Sequence, residues 1–311
     1  MTQFYNNLHS LDAFDGGFLK AKKHISMEIV GEPSMIYFHV TCPFELESIT
    51  EKFISSNYPG ATVEPLYDYR YFHENTDQEY ISLDLKKDDM YPITKLDDHK
   101  TDPINTILNS LSKLNENETA FLQILVRPKK HKWNEDMHKK VERMYENKTE
   151  GINYSLWDFI SGNLAKSEEP EKNKELTPQQ QENLKAIEEK LALPCFETNI
   201  RLVTSTPTTP RSKSVLRDLA GSFGHYNTVD QNKFELIQTS KISFLSRRIR
   251  KLNQALFRIW DSKEVSVLSG DELSQIFHFP DSRYNKSNLI KWQGYKTFPA
   301  PAGMPDEGVL L

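Results

Sequence analysis

The chain has 311 residues, with 39 Lys and Arg against 44 Asp and Glu, a net charge of −5. That length suits about two domains, and the acidic balance argues against a nucleic-acid surface spread over the whole molecule. No apolar run approaches the roughly 20 residues of a membrane-spanning helix, residues 1–7 have neither the basic nor the apolar region of a secretory leader, so secretion by that route is not expected, and two cysteines, Cys42 and Cys195, are too few for a disulfide framework or a thiolate metal cage.

Hydrophobic periodicity gives the predicted elements in chain order. Residues 24–30 and 36–40 alternate as two strands of a hairpin joined through Gly31, Glu32, Pro33 and Ser34. Pro43 opens a helix with Leu46, Ile49, Phe53 and Ile54 at helical spacing, closed by Tyr58, Pro59 and Gly60. Residues 61–67 and 79–85 read as strands. Asp102 and Pro103 open a helix whose stripe is Ile104, Ile107, Leu108, Leu111 and Leu114. Residues 120–126 are apolar on both faces, the mark of a central strand, and a helix follows over 133–145. From residue 35 to 126 the order is β-α-β-β-α-β, which predicts a ferredoxin-like split βαβ domain of the α+β class.

Seven of the twelve residues 166–177 are Lys or Glu, a stretch that cannot bury apolar surface and reads as a linker. Beyond it, Thr177, Pro178 and Gln180 form a capping box, residues 196–203 alternate as a strand, Thr209 and Pro210 start a helix, and 233–237 alternate again. Ser269 and Glu272 form a second capping box. The predicted organisation is a first α+β domain over 1–150, a helical and charged linker over 151–194, a second α+β unit over 195–295, and an extended Pro-rich tail over 296–311.

Motifs for chemistry are scarce. The sequence holds no G-x-x-x-x-G-K-[ST], G-x-G-x-x-G, G-x-S-x-G or H-E-x-x-H, so no cofactor, metal or catalytic residue is predicted. Glu135 and His138 stand one helical turn apart, but a di-metal bundle needs a second such pair. The charge anomaly is residues 240–258, where Lys241, Arg247, Arg248, Arg250, Lys251 and Arg258 occur with no acid, interleaved with Phe244, Leu245, Ile249, Leu252, Leu256 and Phe257. Two readings stand: a phosphate-backbone contact of a nucleic-acid-binding module, or an amphipathic segment whose basic face pairs with acids of a neighbouring element. A smaller basic cluster with an aromatic lies at 127–133.

Three stretches carry a family resemblance. They are 24–30 continuing through 36–40 to 58–61 and Asp68-Tyr69; 196–203 with Asn232-Lys233-Phe234; and Leu268-Ser269, Glu272-Leu273 and Phe277-His278-Phe279-Pro280, followed by Ile290-Lys291-Trp292, Pro301, Pro305 and Glu307-Gly308. Together they resemble the region preceding the motor in bacterial conjugative-transfer and type IV secretion ATPases of the HerA/FtsK superfamily. The nucleotide site of that family has no counterpart positions in this sequence. The resemblance therefore implies a non-catalytic accessory or docking domain, partnered by an ATPase motor on the same or an adjacent polypeptide. DNA and membrane-embedded secretion components are the further partners it implies, with homo-oligomers only in the context of the motor and a cytoplasmic location at the inner face of the membrane through partners. It assigns Glu272, His278, Pro280, Lys291, Trp292, Pro301, Pro305 and Gly308 to a motor-docking segment. For His278 a plainer reading, packing beside Phe277 and Phe279, stays open.

Overall fold

The computed structural model describes residues 1–11, 22–58, 61–66, 72–94, 102–149, 177–227, 231–237, 244–281, 285 and 287–290. The fold is α+β. Its elements run α1 (Thr2–His9), β1 (Ile25–Glu32), β2 (Met35–Thr41), α2 (Glu47–Asn57), β3 (Asp77–Leu85), α3 (Ile104–Leu111), β4 (Thr119–Pro128), α4 (His131–Thr149), α5 (Pro178–Leu191), β5 (Cys195–Thr206), α6 (Thr209–Gly221), β6 (Phe234–Ile237), α7 (Phe244–Leu256), β7 (Ser266–Ser269) and α8 (Gly270–Ile276).

The strands form one antiparallel sheet in the order β2-β1-β4-β5-β3-β6, with β7 paired to the first residues of β5. This corrects the expected ferredoxin-like order. β5 pairs with β4 from Thr119↔Ser205 to Pro128↔Phe196 and with β3 from Asp77↔Thr206 to Leu83↔Ile200, so strands from both expected units interleave in one sheet. The predicted strand at 61–67 is also corrected over its described part. Residues 61–66 are exposed and irregular, and Tyr67 lies outside the described residues. Val63 and Leu66 are three apart rather than two, and Pro65 has no N–H for a ladder.

Period-2 alternation splits the sheet into two unlike faces. One carries Ile25, Met27 and Ile29 of β1, Leu122, Ile124 and Val126 of β4, Ile200 and Leu202 of β5, and Ile81 and Leu83 of β3. All of these join a single core with α1, α3, α6 and α8. The helix α3 supplies Ile104, Ile107, Leu108 and Leu111 at the spacing of one stripe. It approaches so closely that a Cβ at Gly31 would stand 2.8 Å from the Leu111 Cβ, which is why a strand interior there holds glycine. The opposite face carries an apolar row, Val30, Phe121, Val203 and Tyr80, beside a polar one described below.

The helices α4 and α5 pack together through Val141, Leu184, Ile187 and Leu191, with Met90 and Tyr91 beneath them. Both predicted capping boxes are present, at Thr177 with Gln180 and at Ser269 with Glu272. Glu272 does more than cap its helix. It forms an ion pair with the buried Lys190 at 3.0 Å and accepts the Ile93 amide at 2.8 Å. The Lys190 ammonium completes its shell on the Val267 carbonyl at 3.0 Å. Removing one partner of a buried pair strands the other charge. Glu272→Ala should therefore cost about 3–5 kcal/mol in denaturant unfolding. Lys190→Met with Glu272→Gln, which keeps a capping acceptor, should cost no more than about 2 kcal/mol.

Candidate functional site

The basic segment folds as α7 across the polar face of the sheet. Its cations divide into two sets. Arg248 donates to the Gln78 carbonyl and lies 3.5 Å from the Glu79 carboxylate. Lys251 is buried and pairs with Asp261 at 2.6 Å and Glu264 at 2.5 Å. Arg258 holds Glu28 with two bonds, 2.8 and 3.0 Å. By contrast Arg247 and Arg250 are exposed and form no ion pair with a described residue. Lys241 lies outside the described residues. Of the two readings of this segment, internal pairing describes Arg248, Lys251 and Arg258, and an outward basic face describes Arg247 and Arg250.

The inward set exists because the sheet beneath is charged. The cross-strand register lines up His39, Glu28, Gln123, Arg201 and Ser82 on β2, β1, β4, β5 and β3. Glu28 is 0% exposed and Arg201 1%. A buried ion is tolerable only when its hydrogen bonds are complete. Arg201 donates to Gln123 Oε1 at 3.1 Å, Asn199 Oδ1 at 3.3 Å, and the carbonyls of Gln254 at 3.0 Å and Ile259 at 2.6 Å. Gln123 in turn donates to Glu28 at 2.9 Å and to the Ala255 carbonyl at 2.8 Å. The sheet thus caps the carbonyl end of α7, where a cation is favoured by the helix dipole. Burial pulls the Arg201 guanidinium below its ordinary value, and Tyr80, Asp261 and Glu264 act against that shift. Burial likewise raises the Tyr80 phenol well above its ordinary value.

The helix ends in a Schellman motif. The Ile259 amide bonds the Gln254 carbonyl at 2.8 Å and the Arg258 amide bonds the Ala255 carbonyl at 3.2 Å. The residue in the left-handed position is Arg258, with φ 54°, where glycine is usual and a side chain costs about 1 kcal/mol. The bond to Glu28 offsets that cost and fixes the side chain inward. The charge pattern marks Arg258 as a cation, but nothing local to it announces a left-handed backbone.

The expected docking segment divides similarly. Glu272 is buried in the ion pair with Lys190 and is not open to a partner. His278 directs Nε2 to Asp102 at 3.0 Å and Nδ1 to the Ser274 carbonyl at 2.9 Å. Asn285 donates to Asp102 at 2.8 Å and to Asn105 at 2.8 Å. Burial would raise the Asp102 carboxyl, but the bond and charge of His278, the Asn285 amide and the Ile104 amide hold it below its ordinary value. Phe277 and Phe279 pack on Phe38, and the Leu289 carbonyl accepts the Ile36 amide of β2 at 2.8 Å. Pro280, half-buried, sits between these anchors. The described residues of this strap, 277–281, 285 and 287–290, are thus held within the chain in one clasp against α3 and β2. Lys291, Trp292, Pro301, Pro305 and Gly308 lie outside the described residues.

Beside the clasp is a shallow cleft of about 230 Å³ lined by Met1, Tyr58, Asp102, Ser274, His278, Phe279 and Asp281. Its groups do not form a nucleophile and base. Both ring nitrogens of His278 are engaged, and the Ser274 hydroxyl donates to the Asp271 carbonyl at 2.7 Å. Among the described residues no three metal-binding side chains converge, and Glu135 and His138 are exposed on α4. Cys195 is buried, its thiol pushed up to about 12 by that burial, and Cys42 is also a free thiol.

Arg258→Ala leaves the Glu28 carboxylate buried without its cation and should cost about 3 kcal/mol. Arg258→Gly should be about 1 kcal/mol less costly because the left-handed strain is relieved. Adding Glu28→Gln to either variant should recover most of the remaining loss. Urea unfolding of the four proteins checks this.

A comparison with curated proteins finds no match. A family model described as a domain of unknown function, DUF8128, matches residues 1–292, which takes in both the polar row under α7 and the His278 clasp. The chain belongs to the DUF8128 family.

Proposed function

We propose that the protein is a non-catalytic docking module for an ATPase motor of the conjugative-transfer or type IV secretion kind, acting on a motor in the same or an adjacent polypeptide. The observation that carries this reading is the clasp. A module that couples to a motor must hold its connecting segment firmly, or motion on one side is lost before it reaches the other. Here the strap is pinned by His278 and Asn285 to Asp102, by Phe277 and Phe279 to Phe38, and by Leu289 to the edge strand β2. The motif resemblance in the same stretch, from Leu268 to Trp292, supports the assignment of its partner. In that setting the module sits at the inner face of the membrane through its partners and forms oligomers only around the motor.

The test is binding of the full chain to the purified motor of that class encoded nearest to it. The wild-type chain should bind, and His278→Ala with Asn285→Ala should weaken binding about tenfold, roughly 1.4 kcal/mol, while the near-UV circular dichroism stays unchanged. An active motor that ignores the wild-type chain would overturn the reading.

A second reading, nucleic-acid binding, is favoured by one observation, the outward placement of Arg247 and Arg250 on α7. Because Arg248, Lys251 and Arg258 are consumed inside, only about two phosphates can be neutralised by the described residues of this segment. Filter binding to single-stranded DNA should then show a log–log salt slope near −1.4, about 0.7 per phosphate. A slope near −4 would show that cations beyond Arg247 and Arg250 contact the nucleic acid.

A further inference from the structure

The turn after α7 places its side chains alternately. Arg258 points inward to Glu28, and Trp260 lies against Arg127, whose guanidinium sits 3.9 Å from the ring centre. Phe257 and Ile259 face the other way, 67% and 48% exposed. Upstream on α7, Ile249 is 51% exposed. Ile249, Asn253 and Phe257 follow at i, i+4 and i+8, which places them along one line of the helix. Arg250 and Arg247 border that line, both exposed. The inward side is Lys251 and Ala255, both buried, with Leu252 and Leu256 partly so. The outer arc of α7 therefore exposes two large apolar side chains, Ile249 and Phe257, on either side of Asn253, with basic flanks.

No acid occurs from Phe244 to Trp260, and the carboxylates underneath, Glu79, Asp261 and Glu264, are engaged by Arg248 and Lys251. The face is thus locally cationic on a chain whose net charge is −5. A patch of exposed large apolar side chains with a polar rim marks an interaction site. The shape narrows the partner. The exposed apolar side chains run along the outer arc of a helix and onto the turn after it, so they present a helix back and not a groove. A helix back with exposed apolar side chains and arginine flanks matches an interface where acyl chains lie beneath anionic headgroups. Nucleic acid would use the arginines and Phe257 but would leave Ile249 and Ile259 in water.

We infer that the outer arc of α7 with the Phe257–Ile259 turn is a docking surface for an anionic lipid bilayer. The inference stands apart from the motor reading, since it uses the opposite face of the sheet from the His278 clasp. Affinity is modest by this account, because a net acidic chain is repelled at long range and only this face is attractive.

The experiment is flotation of the full chain with vesicles of phosphatidylcholine alone or containing about one-third phosphatidylglycerol. The chain should float with the anionic vesicles only, and less so as salt rises. Arg247→Gln with Arg250→Gln should weaken partition about 30-fold. Phe257→Ser with Ile259→Ser should weaken it at least about tenfold at unchanged charge. All four positions are exposed, so folding, checked by circular dichroism, should be unaffected. Absence of flotation with anionic vesicles at low salt would overturn the inference, as would equal flotation of the wild type and both variants. Loss of single-stranded DNA binding or of motor binding in these variants, without any vesicle binding by the wild type, would reassign the face to that partner and overturn the lipid inference.

Discussion

A single strand, β5, sets the terms for the rest of the molecule. Its twelve residues pair with β4 along one side and with β3 and β7 along the other. One of its faces gives Phe196, Ile200 and Leu202 to the main core, and the other gives Asn199 and Arg201 to a layer from which water is excluded. A guanidinium at 1% exposure must find acceptors inside the protein. Two of those acceptors are carbonyls at the end of α7 and the turn beyond it. The position of α7 and of the turn beyond it follows from satisfying that strand, and Glu28 of β1 then draws Arg258 inward.

This constraint changes what the basic segment means. Counted along the chain, it is six cations without an acid, a pattern that resembles a nucleic-acid stripe. In the fold, Glu28 from β1, Glu79 from β3, and Asp261 and Glu264 from the loop before β7 come from three separate places to meet three of those cations. Among the segment's described residues, what reaches the solvent is Arg247 and Arg250 with Ile249, Asn253 and Phe257. Charge that looks like a binding surface in sequence is here largely a device for fastening a helix over a polar sheet face. Replacing buried pairs of this sort by apolar residues need not cost stability, so their retention is consistent with fixing one position of α7 rather than adding energy.

The elements were largely legible because their signals are local. Capping boxes at Thr177 and Ser269, first-turn prolines at Pro178 and Pro210, and alternation in β1, β4 and β5 depend on neighbours a few residues away. Strand order is a different kind of information. Nothing near residue 200 states that β5 lies between β4 and β3, and the slot assigned to residues 61–67 is filled from the far side of a charged stretch. The strand β7 was missed because four residues with two apolar ones give too short an alternation. The same division holds for the sites. The Ser269–Glu272 box can be read in sequence, but its ion pair with Lys190 joins residues 82 apart. Arg258 is legible as a charge and not as a left-handed residue, since its side chain is held by Glu28 of β1, 230 residues away.

The clasp and the outer arc of α7 lie on opposite faces of this sheet, held at fixed separation by the strand between them. Whatever each contacts, the two contacts are mechanically connected only if the sheet is one cooperative body. The direct measurement is thermal unfolding of a chain ending at residue 150, which keeps β1 to β4 and omits β5. With its central strand gone, β4 loses a ten-residue ladder and β3 its only neighbour toward the body of the sheet, so no cooperative transition and no fixed near-ultraviolet circular dichroism are expected. A sharp transition with native-like aromatic signals from residues 1–150 would show a self-sufficient first domain and contradict the account.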